Sequence, residues 1–317
     1  IKICTILSFG LFFQMTFERL LQSTGRTMCS MVSQLTGAVI NLILDPILIF
    51  GLLGAPKMGV SGAAYATVIG QMAAACVGLS LNLIYNREIT FSIKSILSPD
   101  FSVISKIYII GIPSIVMMSI GSVMTYLMNM ILKQFSSTAT AVFGVYFKLQ
   151  SFFFMPVFGL NNGLIPVLAY NYGAKKKKRI NEAISFSRIL AFTIMVVGTL
   201  IFMIFPKYLL LLFDASDNMI HMGSFALRII SISFPIASIC IILGSTFQAF
   251  AKSTYSLVVS VSRQLVGLIP AAWLLAKTGN VNNVWWSFPI AEIASFIASV
   301  YFYKKIKKEI IDKIKEN

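Results

Sequence analysis

Residues 37–55 read GAVINLILDPILIFGLLGA, an apolar run that contains two polar side chains, Asn41 and Asp45. A helix of about 20 apolar residues crosses the hydrocarbon core of a bilayer, so this run predicts a transmembrane helix. A charged side chain inside a bilayer costs about 3 kcal/mol or more, and intramembrane acids therefore usually face a bundle interior or a wet cavity on an ion or substrate pathway. Asp45 is the first functional candidate in the chain.

The composition indicates that the whole sequence is of this kind. Of 317 residues, 57% are hydrophobic and only 12% are charged, and the mean hydropathy is +0.84, which excludes an ordinary soluble domain. The sequence predicts an all-α polytopic membrane protein with about nine transmembrane helices. They lie roughly at residues 3–21, 28–52, 60–85, 107–132, 139–168, 189–213, 219–247, 257–275 and 284–303.

A formal net charge of +15 can indicate a nucleic-acid-binding protein, but here the basic residues cluster in alternate connections between the predicted spans. This is the positive-inside pattern of membrane proteins, so we expect a lipid bilayer around the chain and no nucleic-acid partner. The connections rich in Lys and Arg are predicted to be cytoplasmic. The basic tail, residues 304–317, is then cytoplasmic as well.

A comparison of the sequence with itself indicates a parallel internal repeat. At an offset of 230 residues, Ser23 and Gln34 match Ser253 and Gln264 in equivalent helix-turn-helix segments. Because the chain starts with Ile and has an odd number of spans, we expect three further spans upstream. The predicted domains are the C-terminal half of a first bundle at 1–85, a cytoplasmic linker at 86–105, a six-helix bundle at 106–303 and the tail at 304–317.

Asn41 and Asp45 are one helical turn apart, so they share a helix face, and this polar face continues back to Gln34. Pro46 leaves the carbonyl of Leu42 without an intrahelical donor, next to the carboxylate.

The next predicted span places Thr67 and Gln71 near a seam of small residues, where helices approach closely. Asn41, Asp45 and Thr67 together predict a pocket in which Asp45 takes up a proton or, with Asn41, a sodium ion. The alternative is that a protonated Asp45 only holds two helices together through one hydrogen bond.

Glu292 is a second acid within a predicted span. It is a candidate for a further coupling site or for a cation partner, and the alternative is that Ser287 and Ser295 satisfy its carboxylate locally. Lys148 and Arg228 also lie within spans, where such side chains either reach towards the interface or pair with an acid. The four cysteines show no metal-ligand spacing, and we expect them to be free.

The sequence shows no nucleotide-binding, dinucleotide-binding or metal motif and no catalytic Ser or Cys motif. We therefore expect neither an enzyme nor a cofactor. If the protein pumps a solute, the energy comes from an ion gradient.

Three segments resemble the multidrug and toxic compound extrusion (MATE) family, in its bacterial DinF-like and MepA-like branch. They are NLILDPILIFGLLGAPKMGVSGAAYATVIGQ at 41–71, MPVFGLNNGLIPVLAYNYGAKKKKR at 155–179 and FQAFAKS at 247–253. The resemblance implies twelve helices in two six-helix bundles, of which this chain covers the fourth to the twelfth. It also implies a monomer of the bacterial cytoplasmic membrane that exports small organic cations in exchange for protons or sodium ions.

In proton-coupled relatives, an Asn and an Asp one turn apart on the fifth helix and a Thr on the sixth join an acid on the first helix. Asn41, Asp45 and Thr67 match the first three of these positions, and the first-helix acid has no counterpart in this sequence. Two rival hypotheses remain. One is a flippase for lipid-linked sugars with Lys148 and Arg228 lining a basic cavity, and the other is a truncated membrane protein that does not transport.

Overall fold

The computed structural model describes residues 2–89 and 100–314, and these are helical, with no strand among them. They divide into two compact units, Ile1–Pro99 and Asp100–Asn317, called unit 1 and unit 2 below. The predicted linker, 86–105, lies across this boundary, and its residues 90–99 fall outside the described residues. The last three residues of the predicted tail also fall outside them.

The described part of unit 1 contains four helices, and its longest two pack closely against each other. The helices are α1 Lys2–Ile6, α2 Phe9–Ser23, α3 Thr27–Phe50 and α4 Val60–Tyr85, with a 3-10 turn at Leu52–Gly54. A Cβ atom on Gly62 would lie only 2.4 Å from the Leu48 carbonyl oxygen, and one on Gly70 would lie 2.7 Å from the Gly37 carbonyl oxygen. The predicted seam of small residues therefore brings the backbones of α3 and α4 into contact.

Unit 2 contains the larger core, in which a network of aromatic rings includes the fully buried Phe143, Phe202 and Phe247. Its helices are α5 Phe101–Lys133, α6 Ser137–Gly173, α7 Lys177–Ile204, α8 Pro206–Leu211, α9 Asp217–Ser231, α10 Phe234–Ala249, α11 Ser253–Val261, α12 Ile269–Ala276, α13 Val281–Val284 and α14 Ser287–Ile306. Two π-helical segments, Ser262–Leu268 and Lys307–Ile311, continue α11 and α14. A π-helical turn inserts a residue into the helical repeat and so changes which side chains face the core.

Seven helices in the described part are long and apolar enough to cross a membrane, and α9 with α10, bent by 47°, makes an eighth. This agrees with the predicted polytopic all-α fold, and the difference lies in the first predicted span, residues 3–21. The helix breaks between α1 and α2, and the 15 residues of α2 are about 22 Å long, short of the hydrocarbon thickness of about 30 Å.

The turns that follow α2 and α10 have the same geometry. Gly25 and Ala251 both have positive φ angles, +78° and +55°, and the N–H groups of Arg26 and Lys252 each donate to a carbonyl five residues back, at 2.8 Å. These turns are 226 residues apart. The two turns are thus alike, but the same geometry recurs at Lys175 and Lys176, so it does not fix the offset of the predicted repeat.

Candidate functional site

Two of the three residues predicted to form a polar pocket in unit 1, Asn41 and Thr67, meet between α3 and α4. Asn41 donates from its side-chain nitrogen to Thr67 Oγ1 at 3.3 Å, and Thr67 donates in turn to the Ala63 carbonyl of its own helix at 2.9 Å. Asn41 is held close to α4 because Gly70 has no side chain, since a Cβ atom there would lie 3.2 Å from Asn41 Cβ. The close packing of the two backbones therefore positions this hydrogen bond.

Asp45 lies one turn beyond Asn41 on α3, and its side chain is half-buried. Its Oδ1 atom is buried and has no hydrogen-bond partner within residues 2–89 and 100–314. The ion pairs of the same residues join Lys177 to Asp312 and Arg263 to Glu292, so Asp45 has no cationic partner there. A buried acceptor without a partner costs about 1 to 3 kcal/mol, and a bound cation would remove this cost.

Gln34 belongs to a different polar cluster from Asp45. Its amide donates to Glu18 Oε2 at 2.7 Å, and the amide of Gln14 donates to Glu18 Oε1 at 2.8 Å. Glu18 is only 6% exposed. Gln71, the remaining predicted residue of unit 1, lies half-buried one turn after Thr67.

The sequence prediction missed Glu18 because this residue stands next to Arg19 at the end of an apolar run, where charged residues usually mark the membrane interface. One signal was available. Gln14 and Glu18 have the i, i+4 spacing that places two polar side chains on one face of a helix.

Glu292 lies in unit 2, on α14, and is also 6% exposed. Its Oε2 atom is 3.9 Å from Arg263 Nη1, while its Oε1 atom is buried without a hydrogen-bond partner among the described residues. The expectation that Ser287 and Ser295 satisfy this carboxylate was wrong. Ser287 donates to the Val284 carbonyl at 2.7 Å, and Ser295 Oγ is itself buried without a partner in the described part.

Arg263 and Glu292 line a cavity of about 220 Å³ inside unit 2. Polar and aromatic side chains from several helices complete its wall, among them Tyr146, Phe147, Gln150, Phe154, Gln264 and Phe288. Gly267 permits close contact between the π-helical segment and α14, since a Cβ atom on it would lie 3.1 Å from Ala291 Cα. This contact brings Arg263 beside Glu292. The arrangement combines aromatic faces with one positive and one negative group.

Lys148 and Arg228, the two cations predicted within spans, do not pair with acids in the described part of the chain. Lys148 Nζ lies 5.8 Å from the centre of the Phe213 ring, and Arg228 Nε donates to the Met203 carbonyl at 3.1 Å. Neither residue lines the cavity of unit 2. The positive group in that cavity is Arg263, and a carboxylate lies beside it, so this cavity lacks the basic lining that the flippase hypothesis requires.

The described residues contain no group of three His, Cys, Asp or Glu side chains placed to hold a metal ion. The four cysteines are free, as expected. The side chains of Asn41, Asp45 and Thr67 carry oxygen atoms, the ligand type that hard cations prefer.

The MatE family model matches residues 113–273, just over half of the chain. A multidrug export protein, MepA, of Staphylococcus haemolyticus is 27% identical over 300 residues, which are 93% of this chain and 64% of that protein. MepA of Staphylococcus aureus strain MSSA476 is 27% identical over 285 residues, 89% of this chain and 61% of the relative. The chain thus spans about three fifths of the length of the curated relatives it matches.

Solved structures with the same fold include a multidrug resistance MATE transporter in its outward-facing conformation. That structure has a TM-score of 0.89 at 20% identity, over 98% of this chain and 69% of the other. A mutant MATE transporter of Vibrio cholerae has a TM-score of 0.84 at 20% identity, over 95% of this chain and 67% of the other. These similarities confirm the predicted all-α membrane transporter fold.

Proposed function

Because the chain belongs to the MatE family, we propose that it acts in a secondary active antiporter that exports organic cations and drugs across the bacterial cytoplasmic membrane. Influx of protons or sodium ions drives the export by alternating access, the C-terminal tail is cytoplasmic, and the transporter works as a monomer. The printed names of the relatives support multidrug export as the activity.

The observation that carries the proposal is that Asp45 Oδ1 is buried without a hydrogen-bond partner among the described residues, in the largely apolar helix α3. A carboxylate at this depth is costly unless it alternates between a charged state that holds a cation and a neutral, protonated state. The neighbouring Asn41 and Thr67 side chains supply further oxygen atoms and keep the pocket polar. Asp45 is therefore the group at which the driving ion and the exported cation compete.

Asp45→Asn tests this role, because the amide keeps the shape of the side chain and removes its charge. The protein is expressed from its complete reading frame, and ethidium efflux is measured at matched membrane abundance. We expect the initial rate of active efflux to fall by more than about tenfold. The matched control is Asp217→Asn, which removes an exposed carboxylate at the start of α9 and should leave efflux unchanged.

The driving ion is identified with the same variants in vesicles, by measuring uptake under an imposed proton gradient or an imposed sodium gradient. Only the gradient that drives the transporter should produce uptake that depends on Asp45. Normal efflux by Asp45→Asn would show that Asp45 is only a structural residue and would refute the proposal. Absence of efflux from the wild-type protein as well would favour a substrate of another class.

A further inference from the structure

Two strongly basic segments, far apart in the sequence, meet at one end of unit 2. The first is KKKKR at residues 175–179, in the connection from α6 to α7, and the second is residues 304–314, at the end of α14 and beyond it. Lys177 Nζ lies 3.0 Å from Asp312 Oδ1 and joins the two segments. We call residues 172–179 together with 304–314 the basic platform.

Apolar side chains fix the second segment against the core of unit 2. Ile306 and Ile311 are fully buried, and Ile310 and Ile314 pack against the same core. The lysines between them consequently point away from the core into the surroundings. The exposed basic side chains of the platform are Lys175, Lys176, Lys178, Arg179, Lys304, Lys305, Lys307, Lys308 and Lys313.

The basic platform has a large excess of positive charge. It contains ten Lys and Arg residues and only two acids, Glu309 and Asp312, of which Asp312 is already paired with Lys177. It is also located where three long apolar helices end or begin, since α6 ends at Gly173, α7 begins at Lys177 and α14 ends at Ile306. In a bilayer spanned by these helices, its cations would lie at the level of the lipid headgroups.

A cleft of about 420 Å³ opens between the two segments. Lys175 and Lys313 line it and offer two ammonium groups, and Tyr172, Ile310 and Ile314 offer apolar surface beside them. Glu309 lines the same cleft. These groups fit a lipid, in which an anionic phosphate lies next to the start of the apolar acyl chains.

We propose that the basic platform binds the phosphate headgroups of anionic phospholipids in the surrounding bilayer. Clusters of Lys and Arg immediately beside a membrane span attract anionic lipids, and each such residue near the surface changes the local binding equilibrium by about fivefold. The cleft adds a fixed position for one lipid to this general attraction. The proposal is independent of the transported substrate and of the role of Asp45.

The test measures which lipids remain bound to the protein, expressed from its complete reading frame and purified from vesicles of equal parts phosphatidylglycerol and phosphatidylcholine. Native mass spectrometry counts the retained lipids of each kind. We expect the wild-type protein to retain phosphatidylglycerol over phosphatidylcholine by about fivefold or more. The triple variant Lys175→Gln, Lys176→Gln, Lys313→Gln should lose most of this preference.

Two further variants separate the platform from charge in general. The control variant Lys57→Gln, Lys133→Gln, Lys207→Gln removes three exposed cations elsewhere and should keep the preference for phosphatidylglycerol. Replacement of Lys175, Lys176 and Lys313 by Arg keeps the charge, and with it the membrane orientation, so this variant should also keep the preference. Equal retention of the two lipids by the wild type, or equal losses in both glutamine variants, would overturn the proposal. Displacement of the lipid by excess inorganic phosphate would also count against it, since the site would then recognise phosphate alone.

Discussion

Asp45 in unit 1 and Glu292 in unit 2 are both acids within apolar helices, but different forces position them. Around Asp45, the backbones of α3 and α4 touch at Gly62 and Gly70, and the residues predicted to share its site, Asn41 and Thr67, are neutral and hydrogen-bonded to each other. Around Glu292, the π-helical segment places the guanidinium of Arg263 at 3.9 Å. Packing of backbones builds the first site, and a pair of opposite charges builds the second.

This difference bears on function because a carboxylate with its own cation has less need of an external one. The charge of Glu292 is balanced within unit 2, so binding of a further cation there would have to compete with Arg263. Asp45 has no such competitor among the described residues. We therefore assign the coupling role to Asp45 and treat Glu292, the other candidate, as part of a charge pair that shapes the cavity.

The largest effect is expected where backbone packing builds the site. In Gly62→Ala, the new Cβ would lie 2.4 Å from the Leu48 carbonyl oxygen, and because that oxygen belongs to the backbone, α3 and α4 must separate. We expect unit 1 to lose about 3 kcal/mol of stability, measured by unfolding in mixed micelles with increasing detergent.

Gly244→Ala is the matched control, since Gly244 is also within a helix and a Cβ atom there meets nothing within 4 Å. This variant should be as stable as the wild type or slightly more stable, because Ala is the better helix former. Equal stability of both alanine variants would show that α3 and α4 do not touch at this glycine.

The packing of α3 on α4 could be predicted from the sequence because its signals are local. Small residues four positions apart and an Asn–Asp pair one turn apart define helix faces without any knowledge of the neighbouring helices. Arg263 could not be placed in this way. The predicted span 257–275 contains it, but the π-helical segment Ser262–Leu268 changes which side chains face the core, and a regular helical repeat does not predict that change.

Glu18 was missed for a related reason. Whether a carboxylate at the end of an apolar run faces water or a neighbouring helix is decided by the tertiary packing, and here the amide of Gln34 on α3 reaches it at 2.7 Å. The break between α1 and α2 was missed in the same region, since nothing in the apolar pattern of residues 3–21 marks it. Local patterns predicted most helices and the contact between Asn41 and Thr67, whereas contacts between distant residues decided the rest.

A medium effect is expected where the charge pair builds the site. Arg263→Ala leaves the buried carboxylate of Glu292 without a cation, and we expect a loss of about 2 kcal/mol, below the full cost of breaking a buried pair because the Arg263 side chain is 30% exposed and the contact is long. Thermal unfolding in detergent measures the loss.

Glu292→Gln in the same background should restore most of this stability, since it removes the uncompensated charge. Additive effects of the two substitutions in the double-variant cycle would show that the pair does not interact. The charge pair would then no longer distinguish the site in unit 2 from the site in unit 1.

The smallest effect is expected at Glu18, the acid of unit 1 that neutral amides satisfy. Gln34→Leu keeps the size of the side chain and removes one of the two amide donors at the carboxylate, so we expect a loss of about 1 kcal/mol in the free energy of unfolding. Gln71→Leu is the control, because Gln71 is a half-buried amide outside the Glu18 cluster. If Gln34→Leu lowers the free energy of unfolding as much as we expect for Arg263→Ala, neutral amides stabilise a buried acid as strongly as a cation does. Charge compensation would then no longer distinguish the two units.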